Sequence, residues 1–275
     1  MSTQTQEILV VGAGKVGVNF ARLFAKAGCG VTVWNPISVE ESVARICHGI
    51  PGLSLVESVP PAILSFDVAY ICVPDPQIPE AFATLDRWGV PKSTPALHSS
   101  GATELLGERE LHGRPGGGAH PAMGFPRHDL ALDSLMNLVV VLAGDPAAVL
   151  AARQSFDVSG VTTVEAPQVD RLAYHAACVL ASNFTALAGA AAQAVFESQG
   201  ISHEDAGKLC GSLMQGAVTE GTRLGFSDSL TGPAVRGDRK TVSREAAQLD
   251  ATDPQLAQFY RLGSTLLERF WKKGQ

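Results

Sequence analysis

Charge is scarce in this sequence, and neither sign of charge is in large excess. Charged residues make up 17% of the 275 positions and hydrophobic residues 45%, whereas about a quarter of the residues of a typical soluble domain are charged. The net charge is −6, so the chain has no general attraction to nucleic acid or to an anionic membrane. The low charge predicts a large buried surface, with room for a subunit interface.

Cysteine pairs and metal-ligand spacings are absent as well. The five cysteines form no C-x-x-C pair, and free thiols in a reducing cytoplasm explain their odd number. Four histidines, His98, His112, His120 and His128, have no acidic partners at ligand spacing. We therefore expect no metal site.

Long apolar runs and a targeting segment are not visible either. The N-terminal residues are polar, and the apolar runs stay short of the ~20 residues that cross a bilayer. We therefore expect a soluble, cytoplasmic protein that binds neither membrane nor nucleic acid.

The sequence does contain a glycine pattern between a predicted strand and a predicted helix. Residues 8–11 are uniformly apolar, and Gly12, Gly14 and Gly17 follow in G-x-G-x-x-G spacing before a helical pattern that ends at Gly28. This arrangement predicts a dinucleotide whose phosphates lie at the helix N-terminus. The alternatives are a tight turn without a nucleotide, or a methyltransferase loop. The cofactor-binding residues predicted at the turn are Gly12, Ala13, Gly14, Lys15, Val16 and Gly17.

The residue after the second predicted strand bears on the choice of cofactor. An Asp or Glu at this place would bind the adenosine ribose and repel a 2′-phosphate. The strand over residues 30–35 ends instead at the neutral Asn35, with no arginine beside it and Arg45 a helix away. We expect NADP, with NAD as the alternative.

Further strands complete a parallel α/β pattern. They are predicted over residues 53–56, 67–73, 95–98, 137–143 and 161–164, whereas the Gly- and Pro-rich residues 114–126 predict a loop. Ligands of such folds lie at the carboxyl ends of the strands. The strand-end residues expected at the cofactor are Val73, Pro74, Asp75, Ser99 and Ser100. The predicted fold is a Rossmann-type, doubly wound, mostly parallel sheet.

The strand pattern stops before residue 167, and helical periodicity replaces it. One long, alanine-rich helix is predicted over residues 169–199, and Ser202 opens a helix to about residue 224. Thr241 is the expected cap of a short helix, and Asp253-Pro254 opens the last one. We predict a Rossmann domain over 1–165 and an all-α domain over 166–275. Because alanine permits close helix contact, we expect a homodimer through the second domain.

Six motifs carry a family resemblance that spans nearly the whole chain. They are GAGKVG at 12–17, ICVPD at 71–75, HSSG at 98–101, HP at 120–121, YHAACVLASN at 174–183 and LTGPAVRGD at 230–238. The chain resembles a bacterial family with a Rossmann-like domain and an uncharacterised helical C-terminal domain. That family is akin to pyrroline-5-carboxylate reductases and deazaflavin-dependent NADP oxidoreductases, and more distantly to 6-phosphogluconate and 3-hydroxyisobutyrate dehydrogenases. Some members are similar to an alternative class of ketopantoate reductase.

The resemblance also implies roles for the long helix. In the related dehydrogenases this helix faces the nicotinamide and supplies a Lys and an Asn four residues apart, where this chain has Arg171 and His175. An arginine stays charged and holds an anion such as a carboxylate. The proton would then come from His175, with His120 or water as alternatives. By helical spacing Asn183 reaches the same cleft from its margin, whereas Tyr174 is expected to pack in the core. The alternative to a proton donor is that His175 is a helix histidine that makes a structural hydrogen bond at a contact between domains.

The loop over residues 227–240 completes the candidate site. Arg236 and Asp238 lie between glycines, and either present a cation and an acid to a ligand or pair internally. The sequence thus predicts an NADP-dependent oxidoreductase that reduces a small keto acid or imino acid, ketopantoate-like or pyrroline-carboxylate-like. The alternative is a non-catalytic dinucleotide-binding or sensor protein, which Arg171 in place of the family's lysine favours. Pro36 is a second departure, since relatives often carry arginine there.

Overall fold

The computed structural model describes residues 5–35, 39–57 and 65–273, so the departure at Pro36 lies outside the described residues. The described strands form one sheet in the order β3-β2-β1-β4-β5-β6-β7-β8. They are β1 Glu7–Val11, β2 Gly30–Trp34, β3 Leu53–Val56, β4 Val68–Ile71, β5 Ala96–His98, β6 Gly116–Pro121, β7 Val139–Gly144 and β8 Thr162–Glu165. All neighbours are parallel except β6 and β7. The predicted Rossmann-type, mostly parallel α/β sheet is confirmed.

Helices cover the sheet, and its central strands are buried on both faces. The helices of this part are α1 Lys15–Lys26, α2 Glu41–His48, α3 Ile78–Arg87, α4 Glu108–Leu111, α5 Leu132–Met136 and α6 Pro146–Val158. In β1, Ile8 and Val10 join one apolar cluster, and Leu9 and Val11 join another. This alternation explains why residues 8–11 are all apolar, because successive side chains of a strand point to opposite faces.

The predicted loop over residues 114–126 is wrong, because it contains strand β6. The reason lies in its glycines. A Cβ on Gly117 would overlap the Ala143 carbonyl of the antiparallel neighbour β7, so the pairing requires a residue without a side chain. Glycine has low strand propensity, and a pattern search therefore places it in a loop. The consequence is that His120 lies on a strand of the sheet.

The second half is helical, as predicted, but its helix boundaries differ. The helices are α7 Arg171–Ala181, α8 Asn183–Ser198, α9 His203–Leu224, α10 Arg239–Asp250 and α11 Pro254–Lys273. The single helix predicted over 169–199 is two helices, which separate at Ser182 with φ −111° and ψ −70°. Ser and Asn side chains compete with the backbone for hydrogen bonds, which favours a break here. Ser202 caps α9 as predicted, and α11 begins after Asp253.

The chain divides into two compact units, Met1–Asn183 and Phe184–Gln275. Helix α7 belongs to the first unit, together with the sheet. The sequence predicts a boundary between 165 and 166, before this helix, and that domain boundary stays a prediction.

One described segment corrects the expectation about apolar length. Residues Arg171–Ser198 are long and apolar enough to cross a membrane by length and composition, with a mean hydropathy of 1.4 over the best window and none of that window buried. One such segment is weak evidence for a membrane, since helices of soluble proteins pass the same test.

Candidate functional site

The glycine turn after β1 is shaped by two close backbone approaches and one open position. A Cβ on Gly12, whose φ is +105°, would lie 2.5 Å from the Cys72 carbonyl oxygen, and a Cβ on Gly17 would overlap the Gly12 carbonyl. At Gly14 the nearest atom to such a Cβ is 3.9 Å away. Gly14 is also the N-cap of α1, with no side-chain cap. The open glycine and the uncapped N–H groups together fit a pyrophosphate.

Asn35 ties the end of β2 to this turn. Its Oδ1 accepts a hydrogen bond from the Ala13 N–H at 3.1 Å. The amide thus occupies the position where a carboxylate would otherwise read the ribose, and it brings no charge. Asn35 lies at the wall of the cleft that the turn opens into.

Two clefts meet at the turn, and both lie within the first unit. The first cleft, of about 550 Å³, runs from Gly12 and Asn35 to Thr84 and Trp88. The second cleft, of about 510 Å³, extends from the turn to the ends of β4, β5 and β6. The residues that line both are Gly14, Cys72, Val73 and Pro74. An elongated two-part ligand laid across Gly14 would therefore occupy both clefts.

The structure brings most predicted cofactor residues to these clefts. The first is lined by Gly12, Gly14, Asn35, Val73 and Pro74, and the second by Gly14, Lys15, Val16, Val73, Pro74, Asp75, Ser99 and Ser100. Ala13 and Gly17 line neither cleft, and their predicted role stays a prediction. Ala13 is buried and bound to Asn35, and Gly17 packs against Gly12.

The serines after β5 are engaged in local hydrogen bonds. The Ser100 hydroxyl donates to Asp75 Oδ2 at 2.8 Å and accepts from the Thr103 N–H at 3.0 Å. The Ser99 hydroxyl donates to the Ile71 carbonyl at 3.4 Å. Ser100 therefore holds the turn after β5 in shape and keeps Asp75 at the cleft wall.

A histidine and a tyrosine form the most polar contact of the second cleft. His120 Nδ1 lies 2.7 Å from the Tyr174 hydroxyl, and their rings meet edge to face. Burial, and next the Arg171 guanidinium and His175, lower the pKa of His120 to about 4. Burial raises the pKa of Tyr174. At neutral pH the imidazole is uncharged and the phenol is protonated.

His175 borders the same space from α7. The half-buried ring lines the second cleft, and its centroid is 6.1 Å from that of His120. A Cβ on Gly101 would lie 2.7 Å from both His120 Nε2 and His175 Cδ2. Both ring edges thus pack closely against Gly101, and only a glycine fits at this position.

Arg171 lies beneath this cleft and is not among the residues that line it. Its side chain is 2% exposed, its Nη2 donates to the Ser100 carbonyl at 2.5 Å, and its Nε donates to the Thr103 carbonyl at 3.3 Å. The arginine therefore fixes the loop of residues 100–103. Contact with a substrate carboxylate, which the sequence predicts, is not the role that this burial favours.

His98 is a buried residue of this region to which sequence reasoning assigns no role. It is fully buried at the end of β5, and its ring lies beside the backbone of Ser100 and Glu104. Burial, and next the charge of Arg171, lower the pKa of His98 to about 4. A buried histidine beside a buried arginine stays neutral, because a second cation there would be repelled.

The remaining predicted site residues lie elsewhere. Asn183 is exposed at the start of α8. Asp238 is the N-cap of α10, where its carboxylate accepts from the backbone N–H of Thr241 at 3.0 Å and from its hydroxyl at 2.7 Å. This corrects the expectation that Thr241 is the cap. Arg236 is exposed, and no ion pair joins it to Asp238 in the part of the chain that the structure describes. The site roles of Asn183, Arg236 and Asp238 stay predictions.

No metal-binding group is present in the described ranges. Within them, no set of three or more His, Cys, Asp or Glu side chains is placed to hold an ion. The histidines at the cleft, His120 and His175, are accompanied by a hydroxyl and a glycine, and the chemistry of this set is proton transfer or hydrogen bonding.

Comparison with known families matches the second half of the chain. Residues 138–266 match the model of a family described as a domain of unknown function, DUF2520. No curated protein matches the sequence.

Solved structures match nearly the whole chain. A Bacteroides fragilis protein, described provisionally as an NADP oxidoreductase, is 19% identical with a TM-score of 0.75, over 96% of this chain and 98% of that one. Protein TM1727 from Thermotoga maritima is 21% identical with a TM-score of 0.70, over 97% and 99%. A Plasmodium falciparum pyrroline carboxylate reductase with NADP bound is 12% identical with a TM-score of 0.61, over 97% and 100%.

At these identities the likeness is one of fold. The fold is that of Rossmann-type oxidoreductases with a helical C-terminal region, and the family match adds an uncharacterised C-terminal domain. The resemblance that the motifs indicate is thereby confirmed.

Proposed function

We propose that the protein is an NADP-dependent oxidoreductase that reduces a small keto acid or imino acid. The observation that carries the proposal is the position of Gly14, which borders both clefts at the uncapped N-terminus of α1. A dinucleotide bound across this turn would place its pyrophosphate against the free N–H groups. Its adenosine half would then lie in the first cleft and its nicotinamide half in the second. The oxidoreductase fold of the solved relatives supports the same class of chemistry.

The chain's own residues fit such a cofactor. Asn35 would bind the adenosine ribose in the first cleft, and Asp75 and Ser100 border the nicotinamide half in the second. When bound, the nicotinamide supplies the hydride, and the protein supplies orientation and a proton. Because Asn35 is neutral, a 2′-phosphate meets no repulsion, which favours NADP. NAD is the alternative, since one relative of the imine reductase class has been crystallised with NAD+.

Proton transfer is assigned to the second cleft. His175 and His120 both line this cleft and pack against Gly101, and water is the third candidate donor. Arg171 contributes by holding the loop of residues 100–103 beneath them.

The test is a panel of keto acids and cyclic imines assayed with NADPH, starting with ketopantoate and pyrroline-5-carboxylate. We expect NADPH oxidation with at least one acid. The Gly12→Ala variant should lose it, because a Cβ there meets the Cys72 carbonyl oxygen at 2.5 Å. NADPH binding without turnover of any acid would instead support the non-catalytic binding or sensor protein.

Cofactor choice has a separate test. Titration of NADPH and NADH by fluorescence should give tighter binding of NADPH. Equal affinity, or tighter binding of NADH, would overturn the preference while leaving the oxidoreductase proposal in place.

We also propose that the protein is a homodimer and that it is soluble in the cytoplasm. Between Arg171 and Glu197 the chain carries no Asp, Glu, Lys or Arg, and Leu172 and Leu180 are 68% and 60% exposed. A second copy suits an uncharged apolar surface, because a symmetric interface needs no opposite charge on its partner. Sedimentation at micromolar concentration should give a dimer, and a monomer would rule the dimer out. Recovery of the chain with membranes after cell lysis would contradict solubility.

A further inference from the structure

We propose that Tyr174 and His120 form a proton relay that protonates the oxygen of a carbonyl substrate at Gly101. This inference rests on the proposed function, and it names both the donor and the class of bond reduced. Tyr174 is the residue that sequence patterns assign to core packing. Its hydroxyl lies instead 2.7 Å from a ring nitrogen of His120.

In the relay the phenol is the donor of this hydrogen bond. Tyr174 is a protonated phenol, because burial and next a hydrogen bond with Cys178 raise its pKa, and His120 is a neutral imidazole, because burial and Arg171 lower its pKa to about 4. Arg171, His175, His98 and Asp75 are the groups whose charges act on His120. If the phenol donates to Nδ1, the imidazole carries its own proton on Nε2.

Nε2 is the ring nitrogen of His120 that lies against Gly101, because a Cβ on Gly101 would be only 2.7 Å from it. Gly101, His120 and His175 all line the second cleft. A substrate oxygen bound in this cleft beside Gly101 would therefore meet an N–H donor. Tyr174 acts on the substrate only through His120, so it is a positioning residue and His120 is the donor.

The two proton transfers balance, and His120 does not become charged in them. Reduction of a C=O bond leaves an electron pair on oxygen, and the Nε2 proton forms the new O–H bond. The electron pair of the broken N–H bond stays on Nε2, while the Tyr174 proton moves to Nδ1. His120 ends as the neutral Nδ1–H tautomer. The Arg171 guanidinium, 5.7 Å from the Tyr174 ring, stabilises the phenolate until water returns its proton.

The same arrangement disfavours an imine. An imine is reduced after it has been protonated to an iminium, and this requires a group that gives up a proton readily near neutral pH, such as an imidazolium. His120 is neutral there. A carbonyl becomes strongly basic only as its oxygen gains charge, and a neutral N–H donor then suffices. The relay therefore points to a keto acid as the substrate class.

The tautomer of His120 can be measured on the full-length protein without a substrate. In protein labelled with 15N at histidine, the His120 signals should show a protonated Nε2 and an unprotonated Nδ1 at neutral pH. His120→Gln identifies those signals by their loss. Tyr174→Phe should convert them to a mixture of the two tautomers. A protonated Nδ1 in the wild type, or an imidazolium at neutral pH, would overturn the relay.

Turnover separates this inference from the proposed function. With NADPH, we expect a keto acid to be reduced at least about tenfold faster than a cyclic imino acid of similar size. Tyr174→Phe should lower kcat about 10²-fold with an unchanged KM for NADPH. Tyr260→Phe, which removes a tyrosine hydroxyl bound to Glu245, is the matched control and should keep the wild-type kcat.

Different results would contradict the relay and the proposed function. Faster reduction of the imino acid, or a Tyr174→Phe variant with the wild-type kcat, would overturn the relay and leave an oxidoreductase in place. No oxidation of NADPH with either class of acid would overturn the proposed function, and with it the relay as a catalytic device.

Discussion

Gly101 separates the ring edges of two histidines that lie on different elements. His120 comes from β6 and His175 from α7, and a Cβ at position 101 would touch both at 2.7 Å. The sequence points to each histidine through its motif, but only the fold brings them to one space. At this scale the site depends on a glycine at position 101, because both rings pack directly against it.

A side chain at position 101 should stop the chemistry and spare the cofactor. In Gly101→Ala we expect kcat/KM to fall about 10²-fold, because the methyl group would push the His120 and His175 rings out of place. The affinity for NADPH, measured by fluorescence titration, should stay unchanged. Gly207→Ala is the control, since no atom lies within 4 Å of a Cβ there. Unchanged kcat/KM in Gly101→Ala would show that the two rings at Gly101 are not part of the active site.

Asn35 offers an isosteric test of cofactor choice. In Asn35→Asp the carboxylate can still accept the Ala13 N–H, which Asn35 binds at 3.1 Å. The new charge should weaken NADPH binding about tenfold through repulsion of the 2′-phosphate, and should affect NADH much less. Parallel titrations of both cofactors check this. A loss of equal size for both cofactors would argue against a 2′-phosphate beside residue 35.

Strand β6 and helix α7 carry the second cleft, and the sequence predicts them unequally. Strands rich in Val, Ile and Leu are predicted well, because an uninterrupted run of these residues indicates a strand that is buried on both faces. The glycine-rich β6 is missed, since its pairing depends on the close approach of Ala143 from β7. Arg171 is predicted as a ligand by analogy, whereas the fold buries it against the Ser100 and Thr103 carbonyls. Such roles depend on contacts between distant segments.

Asp238, at the N-terminus of α10, is either a helix cap alone or also a ligand-binding acid, and substitutions separate these roles. In Asp238→Ala we expect a lower free energy of unfolding, because the Thr241 N–H loses its acceptor. Urea denaturation measures the change. Asp238→Asn keeps an acceptor at the cap and should lose much less. If Asp238→Asn instead abolished NADPH oxidation at full stability, Asp238 would be a site residue as well as a cap.

The whole molecule should lose stability in mild acid. Burial, and next the charge of Arg171, lower the pKa of His98 and His120 from 6.5 to about 4. Below pH 6.5 the unfolded chain takes up protons at these positions that the folded protein refuses. The free energy of unfolding should therefore fall as the pH drops from about 6.5 to about 4.

Urea denaturation at several pH values checks this window. Asp86 titrates below this pH range and does not contribute to the fall in stability within it. Its pKa is lowered from 3.8, because its bonds to Arg114 outweigh the effect of its burial. His120→Gln should make the fall with pH less steep. A free energy of unfolding that stays constant between pH 6.5 and 4 would show that these histidines are not held neutral.

The central claim is that this fold moves a hydride from NADPH to the carbon of a small acid. The most direct measurement uses NADPH that carries deuterium at both C4 positions of the nicotinamide, with the acids of the panel and mass spectrometry of the product. We expect one deuterium on the carbon that carried the reduced double bond. A reduced product without deuterium, or no reduced product from any acid, would contradict it.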